Sequence, residues 1–540
     1  MKAGLPPVAI VLLRVEHGGV TIMKLSDKIN AVAIVVISAV VFFVAALSSE
    51  SSVLKAGVIL SDLIFSGLLL QGILKCEGWY GLLLVRGKNG LKFMKQLGEG
   101  HPRAARELTE FGLSFGFGVP YSLYIQGKAN WGKVAVHALG LSLFYLWLQS
   151  MPAASSWLNS WSLPIGLLFG LASIGFLAIV FSAANIFVTK TALSGVAPVV
   201  PGITLPFWEG LIAIAIVAIV HEVAHGVLAA AEKVPVRSSG ILLFGFLPVG
   251  AFVEPDEAKF KRAELWKKRR VLVAGSTSNF VFFLLFIVLA FGAGIGQQMA
   301  SEGVVITGVP SNSSAFGLIA PGQMIQTLND VEVRNLNDFY FAAAKSATSG
   351  ELVVKSSGET KNVPLYAVSV SSVVAGSPSD GVLQVGELVT NFDGKPVFSV
   401  NDIRNVVDAK APGDSVWITA GAVAREIKLN SEKKMGVVLS QSLAFSVDNK
   451  PYPGWSWLYA LLSFIASVLG LTAVLNFALS VVNLMPVFVT DGHRIFFEEF
   501  KAAFGKGAAS ERKALLAANL IGFAVLLVLL INLGRWFKVI

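Results

Sequence analysis

The chain has 540 residues, of which 54% are hydrophobic and 14% charged, and its mean hydropathy is +0.69. Soluble chains carry about 25% charge, so this composition excludes a disordered, fibrous or ordinary cytosolic protein and predicts a polytopic α-helical membrane protein. A single cysteine, Cys76, excludes a disulfide framework and any cysteine-rich metal site. The net charge of +9 is concentrated in basic runs beside apolar segments, where it sets membrane topology and does not point to nucleic acid.

A membrane helix needs about 20 mostly apolar residues. The apolar run at 8–13 is too short to span and is ended by Arg14, Glu16 and His17, so no secretory signal is expected. Met23 precedes a lead-in to the first span, which would make the residues before it dispensable. Spans are predicted over 29–48, 52–74, 162–188, 206–231, 271–296, 455–481 and 514–533, with a shorter one at 134–150. The segment 110–126 is glycine-rich and interrupted by Pro120, and it is counted as a span on charge grounds. The linker 85–108 carries Arg86, Lys88, Lys92, Lys95, Arg103 and Arg106, and the loop 254–270 has its own Lys/Arg excess. Both are expected to be cytoplasmic, so an even number of crossings must separate them, and including 110–126 makes four.

The span 206–231 contains His221-Glu222-Val223-Ala224-His225. Two histidines one helical turn apart project from one face, as a pair of zinc ligands requires. The glutamate beside the first can act as general base toward a metal-activated water. With so few histidines the chance expectation of this pattern is roughly 0.002 per chain. The alternative is a coincidental, satisfied polar patch. Ionisable groups at mid-membrane cost roughly 2.5–3.5 kcal/mol each, and are kept where function needs them. The segment 240–253 that follows is too short and broken to span. It is either a re-entrant hairpin with an exposed strand edge or an interfacial loop.

Hydropathy collapses between 297 and about 454, where glycine, serine, asparagine and aspartate punctuate short apolar runs, the pattern of β-rich domains. The segment repeats at an offset of 64 residues: Gly322 aligns with Gly386, Ile325 with Val389, Leu328 with Phe392, Val333 with Val397 and Asn337-Asp338 with Asn401-Asp402. The second copy resembles a bacterial-type PDZ domain. The first is a weaker match, with Asp330 where the second has the turn residue Gly394. PDZ domains bind extended peptide ends by strand addition; the plainer alternative is a pair of β domains that only pack or space. The region is expected outside the cell, because the span before it leaves the cytoplasm.

A hydrolytic zinc site takes three protein ligands and one open position. Near the C-terminus, Asp491 lies in an apolar stretch just after Pro486, which disturbs the helix. An unwound helix at membrane depth is tolerated where it lines a polar cavity. Asp491 is therefore the candidate third ligand, with Gly492 permitting a close turn and His493 as the fallback two residues on. A helix-end carboxylate at the membrane surface is the alternative.

His221-Glu222-x-x-His225 together with Asn483-x-x-Pro486-x-x-x-x-Asp491-Gly492 resembles the site-2 protease family of intramembrane zinc metalloproteases. The segment 250–257 and the extended N-terminal helices resemble its archaeal branch. The motifs cover about 200–300 and 455–500, and residues 1–190 carry none. The resemblance implies that His221, His225 and Asp491 bind zinc, that Glu222 activates water, and that Asn483 positions the substrate strand or stabilises an oxyanion. Asn279, four residues after Gly275, would be a further substrate or oxyanion residue; its alternative is helix packing, and this chain lacks the proline many members have after the glycine.

The expected organisation is N-terminal membrane helices over 1–200, a membrane catalytic core over 201–300, PDZ-like domains at 301–365 and 366–445, and C-terminal membrane helices over 455–540. Transmembrane proteins are the expected substrates and the bilayer the medium, with peptide ends bound by the PDZ-like pair. The metal site is expected toward the cytoplasmic side of the cell membrane, too far from that pair to take catalytic groups from it. A secondary transporter and a non-catalytic PDZ scaffold are the rival readings. The topology has a direct test. After replacing Cys76 with Ser, a cysteine introduced near residue 420 is expected to react with an impermeant thiol reagent outside intact cells, and one near residue 262 is not. The opposite pattern inverts the map.

Overall fold

Where the membrane helices bend or meet closely is decided by glycine. The computed structural model describes residues 13–536 apart from 17–18, 23, 49–51, 88–89, 127–129, 151–161, 190–194, 203, 312, 314, 346–350, 357–358, 375, 398 and 422. His17, Met23 and most of the run 8–13 lie outside the described residues.

After the hairpin β1 (Leu13–Glu16) and β2 (Gly19–Ile22) come α1 (Leu25–Leu47), α2 (Ser52–Leu74), β3 (Glu77–Trp79), β4 (Leu82–Gly87), α3 (Leu91–Gly100), α4 (Pro102–Phe117), α5 (Val119–Gln126), α6 (Trp131–Gln149) and α7 (Ser162–Thr189). Then follow α8 (Phe207–Ala231), β5 (Val236–Phe244), β6 (Leu247–Pro255), α9 (Glu257–Arg262) and α10 (Leu265–Met299). Among the described residues eight helices are long and apolar enough to cross a membrane, the last two being α13 (Ser456–Val482) and α15 (Ala508–Trp536), reached after the β-rich region.

The segment 110–126 is not the single span expected. It breaks between α4 and α5 at Gly118, whose φ of 90° only glycine adopts readily, and Pro120 falls in the first turn of α5, where its missing N–H costs little. Gly170 (φ 76°) kinks α7 at the same place. A Cβ on Gly118 would lie 2.2 Å from the Leu168 carbonyl oxygen and one on Gly170 2.2 Å from that of Gly116, so the two breaks pack backbone to backbone. The two basic segments meet directly. Arg86 pairs with Glu254 at 2.8 Å, and Arg106 and Arg270 share Glu232 at 3.0 and 3.1 Å. The two segments thus come together by contact. Arg86, bonded to the Glu254 carboxylate, holds it below the usual carboxylate range.

The segment 240–253 forms the antiparallel hairpin β5–β6, in a four-stranded sheet of order β3-β4-β5-β6. Strands β3 and β4 fall at and before the stretch read from sequence as a basic linker. Leu83 on β4 is fully buried with Ala31 of α1 and Leu70 of α2. That leaves β6 at the sheet edge.

Residues 291–466 form a second compact unit, and its two sheets repeat one topology. The first comprises β7 (Ser301–Gly308), β8 (Met324–Leu328), β9 (Val331–Glu332), β10 (Glu351–Ser356), β11 (Glu359–Pro364) and β18 (Ser446–Pro451), with α11 (Leu336–Lys345). The second comprises β12 (Tyr366–Val373), β13 (Leu388–Phe392), β14 (Lys395–Pro396), β15 (Ser415–Ala420), β16 (Val423–Lys428) and β17 (Val437–Leu443), with α12 (Val400–Asp408). Their orders are β11-β10-β8-β7-β18 and β16-β15-β13-β12-β17. Residues paired by the 64-residue offset take equivalent positions: Gly322 and Gly386 have φ of 89° and 92°, and Ile325 and Val389, Leu328 and Phe392, and Val333 and Val397 are all buried. Asp330 replaces Gly394 without changing the turn, since Asn329-Asp330 and Asp393-Gly394 all have positive φ, and aspartate and asparagine tolerate that region best after glycine.

The repeats are nested, unlike the serial boundaries expected at 301–365 and 366–445. Strand β18 pairs with β7, and Ala444 and Phe445 fill the first core, so the second repeat is inserted before the last strand of the first. A fragment 366–443 holds every strand of its sheet and is expected to melt cooperatively alone. A fragment 301–365 is expected to be unfolded until 444–451 is joined to it by a short linker. Circular dichroism melts of the three fragments test this, and cooperative melting of 301–365 alone contradicts it.

Candidate metal centre

Helix α8 is apolar along its length, and its stability comes from what it packs on. Helix α3 lies against its C-terminal half, where a Cβ on Gly98 would sit 2.2 Å from the Val227 carbonyl oxygen and one on Gly226 2.1 Å from the Met94 sulfur. On another side lies α10. There a Cβ on Gly275 would fall 2.4 Å from the His221 ring and 2.6 Å from His225 Nε2. Glycine at 275 thus makes room for both imidazoles, which explains the first residue of the Gly275-x-x-x-Asn279 spacing.

The two Nε2 atoms face each other at 3.2 Å. Asp491 Oδ2 lies 3.3 Å from that of His221 and 3.0 Å from that of His225. Donors about 2.0–2.1 Å from a common zinc ion stand roughly 3.3–3.4 Å apart at tetrahedral angles, so the donor set and its spacing fit zinc. His493 is not part of the group. Its Nε2 faces Asn519 Oδ1 on α15 at 3.1 Å, and among the described residues only His221, His225 and Asp491 form a metal-holding cluster.

Both rings are oriented from α10. His225 Nδ1 donates to the Val271 carbonyl at 2.7 Å, which leaves Nε2 with its lone pair toward the cluster. His221 Nδ1 lies 3.1 Å from the Asn279 amide. Asn279 is fully buried, and its Oδ1 has no hydrogen-bond partner among the described residues. The two orientations of an amide are isosteric, and the one that turns Oδ1 to the ring lets it accept the His221 Nδ1 proton. Asn279 therefore touches a histidine from behind, away from the Nε2 atoms. Sequence reasoning offered it as a substrate or oxyanion group and could not see this contact; the Val271 carbonyl leaves no signal in sequence at all.

Asp491 is brought in by a chain reversal. Helix α13 ends at Val482 and α14 (Asp491–Phe504) begins at Asp491. Thr490 caps α14 by accepting from the His493 N–H at 3.3 Å, and its hydroxyl donates to the Met485 carbonyl at 2.6 Å. The Gly492 N–H donates to the Asn483 carbonyl at 2.8 Å, and a Cβ there would be 2.3 Å from the Leu484 carbonyl oxygen. Asn483 Nδ2 donates to Asp491 Oδ2 at 2.7 Å and lies 3.1 Å from His221 Nε2. Two buried ion pairs press α14 against α10: Lys268 with Glu498 at 2.8 Å, and Arg269 with Glu499 at 2.6 Å. In the sequence the basic run read only as a topology determinant.

Glu222, one residue along α8, points to the sheet instead. Its Oε2 accepts the main-chain N–H of Val253 on edge strand β6 at 3.0 Å. The carboxylate thus lies between the metal donors and edge strand β6.

A family model described as peptidase family M50 matches residues 209–529, more than half of the chain and including every residue of this centre. The chain belongs to peptidase family M50, the site-2 protease family. It is similar to a membrane-bound transcription factor site-2 protease homolog of Arabidopsis thaliana, 26% identical over 183 residues, 33% of this chain and 32% of that one. An uncharacterized protein of Methanocaldococcus jannaschii is 34% identical over 139 residues, 26% of this chain and 36% of that one. The zinc metalloprotease RasP of Shouchella clausii is 24% identical over 286 residues, covering 52% and 62%. The matched region thus spans about a third of the first two relatives.

Asp491→Ala is expected to lower zinc content sharply, since two imidazoles alone hold the ion weakly, and His493→Ala to leave it near wild type. Asn279→Leu is expected to weaken zinc binding about 10- to 100-fold by freeing the His221 ring. Competition against a chromophoric chelator measures all three, and an unchanged affinity in Asn279→Leu removes its orienting role.

Proposed function

We propose that this M50 peptidase is an intramembrane zinc metalloprotease that cleaves transmembrane segments of other membrane proteins. The observation that carries the reading is the convergence of three metal donors, an adjacent carboxylate and an unpaired strand edge among membrane helices. His221, His225 and Asp491 would hold the ion, their Nε2, Nε2 and Oδ2 atoms being the ones that converge. Bound there, zinc supplies Lewis acidity toward a carbonyl and brings the pKa of water to near 7.

The remaining work falls to the chain. A helical segment cannot be cut while its amides are held in i to i−4 hydrogen bonds, so it has to be extended at the scissile bond. Strand β6 offers main-chain groups to such an extended segment, and its Val253 lies against Glu222. Glu222 takes a proton from water at Oε and returns it to the leaving amine. Asn483, which holds Asp491 through Nδ2, is placed to donate to a developing oxyanion. The β-rich repeats act as PDZ-like domains outside the membrane, with β17 at a sheet edge suited to strand addition. They admit or reject substrates by their outer portions, while the metal centre faces the cytoplasmic side. A transporter or a scaffold has no use for a carboxylate poised beside three metal donors.

Glu222→Gln keeps shape and ligands but removes the proton acceptor. In proteoliposomes it is expected to lower cleavage of a transmembrane reporter by about 10²- to 10⁴-fold with zinc content unchanged. Retained cleavage would exclude Glu222 as the base, and absence of zinc from the purified wild-type protein would exclude the enzyme reading itself.

A further inference from the structure

An acidic side chain sits far from the metal centre in a position that the hydrolytic chemistry does not use. Asp62 is the only acidic residue of α2, eleventh of the 23 residues Ser52–Leu74. At a rise of 1.5 Å per residue it lies about 15 Å from the start of the helix, near the middle of a hydrocarbon layer about 30 Å thick. Ionisable groups at that depth are rare and usually face a partner. Among the described residues its partner is a hydroxyl, that of Ser38 on α1, which donates to Oδ2, and no cation is paired with it.

Asp62 lines a cavity of about 730 Å³ between α1 and α2. Ser61 adds a second hydroxyl to the lining, and Val41, Val58 and Phe65 make the walls apolar. Phe65 is 64% and Val58 41% exposed, so the cavity opens toward the lipid. The site is thus an acceptor-rich spot in an apolar groove, complementary to an ammonium or guanidinium on an aliphatic stem. Mid-membrane depth excludes a lipid headgroup as its source. A second copy of the chain is also a poor match, because the lysines and arginines of the eight membrane helices lie near their ends.

We propose that the α1–α2 groove binds a transmembrane helix of another protein that carries a lysine or arginine at mid-depth, with Asp62 as its counter-charge. A helix seated there is held against the module that carries the metal donors. Phe42 of α1 packs on Phe207 at the start of α8 (4.8 Å between ring centroids) and on Phe246 at the tip of the β5–β6 hairpin (6.2 Å). The groove therefore recruits a partner by a charge buried in lipid, at a place distinct from the bond-cleaving site.

The test uses full-length protein in phosphatidylcholine vesicles and fluorescent Leu/Ala transmembrane peptides bearing Lys, Leu or Glu at the central position. Energy transfer from the protein to each peptide is measured, with zinc content read on the same samples. The Lys peptide is expected to associate at least tenfold more tightly than the Leu peptide, and the Glu peptide no better than Leu. Asp62→Leu is expected to abolish the preference with zinc content unchanged. Val58→Trp, which fills the groove and keeps the carboxylate, is expected to do the same, and it serves if Asp62→Leu does not fold. Equal association of the Lys and Leu peptides with wild type, or a preference that survives both variants, overturns the proposal. Zinc content separates either result from a failure of the metal-centre reading.

Discussion

Everything at the metal centre depends on how two imidazoles are held from behind. A histidine in a membrane helix is free to rotate and to present either nitrogen, and neither freedom suits a ligand. Here α10 removes both: the Val271 carbonyl takes one Nδ1 proton, the Asn279 amide meets the other Nδ1, and the missing side chain of Gly275 lets the rings approach. The Nε2 atoms are left facing one another and Asp491. Hydrogen-bond partners on the far side of an imidazole fix its tautomer and ring orientation, and so contribute to metal affinity without touching the metal.

The same helix also fixes the third donor. Its basic N-terminal turn grips Glu498 and Glu499 of α14, while Asn483 and Thr490 shape the reversal that ends in Asp491. Burying two ion pairs is costly unless the geometry is good, and leaving one partner buried without the other is costlier. The clamp gives an aspartate on a short, irregular segment the fixed position that a ligand needs. One helix thereby sets all three donors. A change at Gly275, Asn279 or the Lys268-Arg269 pair is felt at the site even though none of them supplies a ligand atom.

The sheet poses a separate problem, that of an edge strand. An edge strand in water invites aggregation, but this one runs beside Glu222, whose carboxylate accepts its Val253 N–H. The sheet keeps β6 at the edge by stacking β3, β4 and β5 on its other side and burying Leu83 against α1 and α2. In the other unit, nesting makes the second repeat a complete insertion, so the two edge strands β17 and β18 follow one another along the chain with only Ala444 and Phe445 between them.

Local patterns with a chemical period were legible in the sequence by itself. Apolar runs long enough to span marked the membrane helices, the i, i+4 histidines marked a pair of imidazoles that face each other, and the 64-residue offset marked the repeat, because each is a property of residues close in the chain or of a simple periodicity. Asp491 was reachable because a carboxylate after a helix-breaking proline in an apolar segment has few other uses. What only the tertiary structure decided are contacts between distant segments. His493 was separated from Asp491 by which side of α14 faces α8 and which faces Asn519. Asn279 took its place behind His221 because α10 crosses α8 at Gly275. Strands β3 and β4 were hidden because a short strand is stabilised by its neighbour, here β5, over 150 residues away in the chain. The nesting of the repeats was invisible for the same reason: β18 belongs to the first sheet through its pairing with β7, and strand pairing is a long-range interaction that the order of residues along the chain does not record.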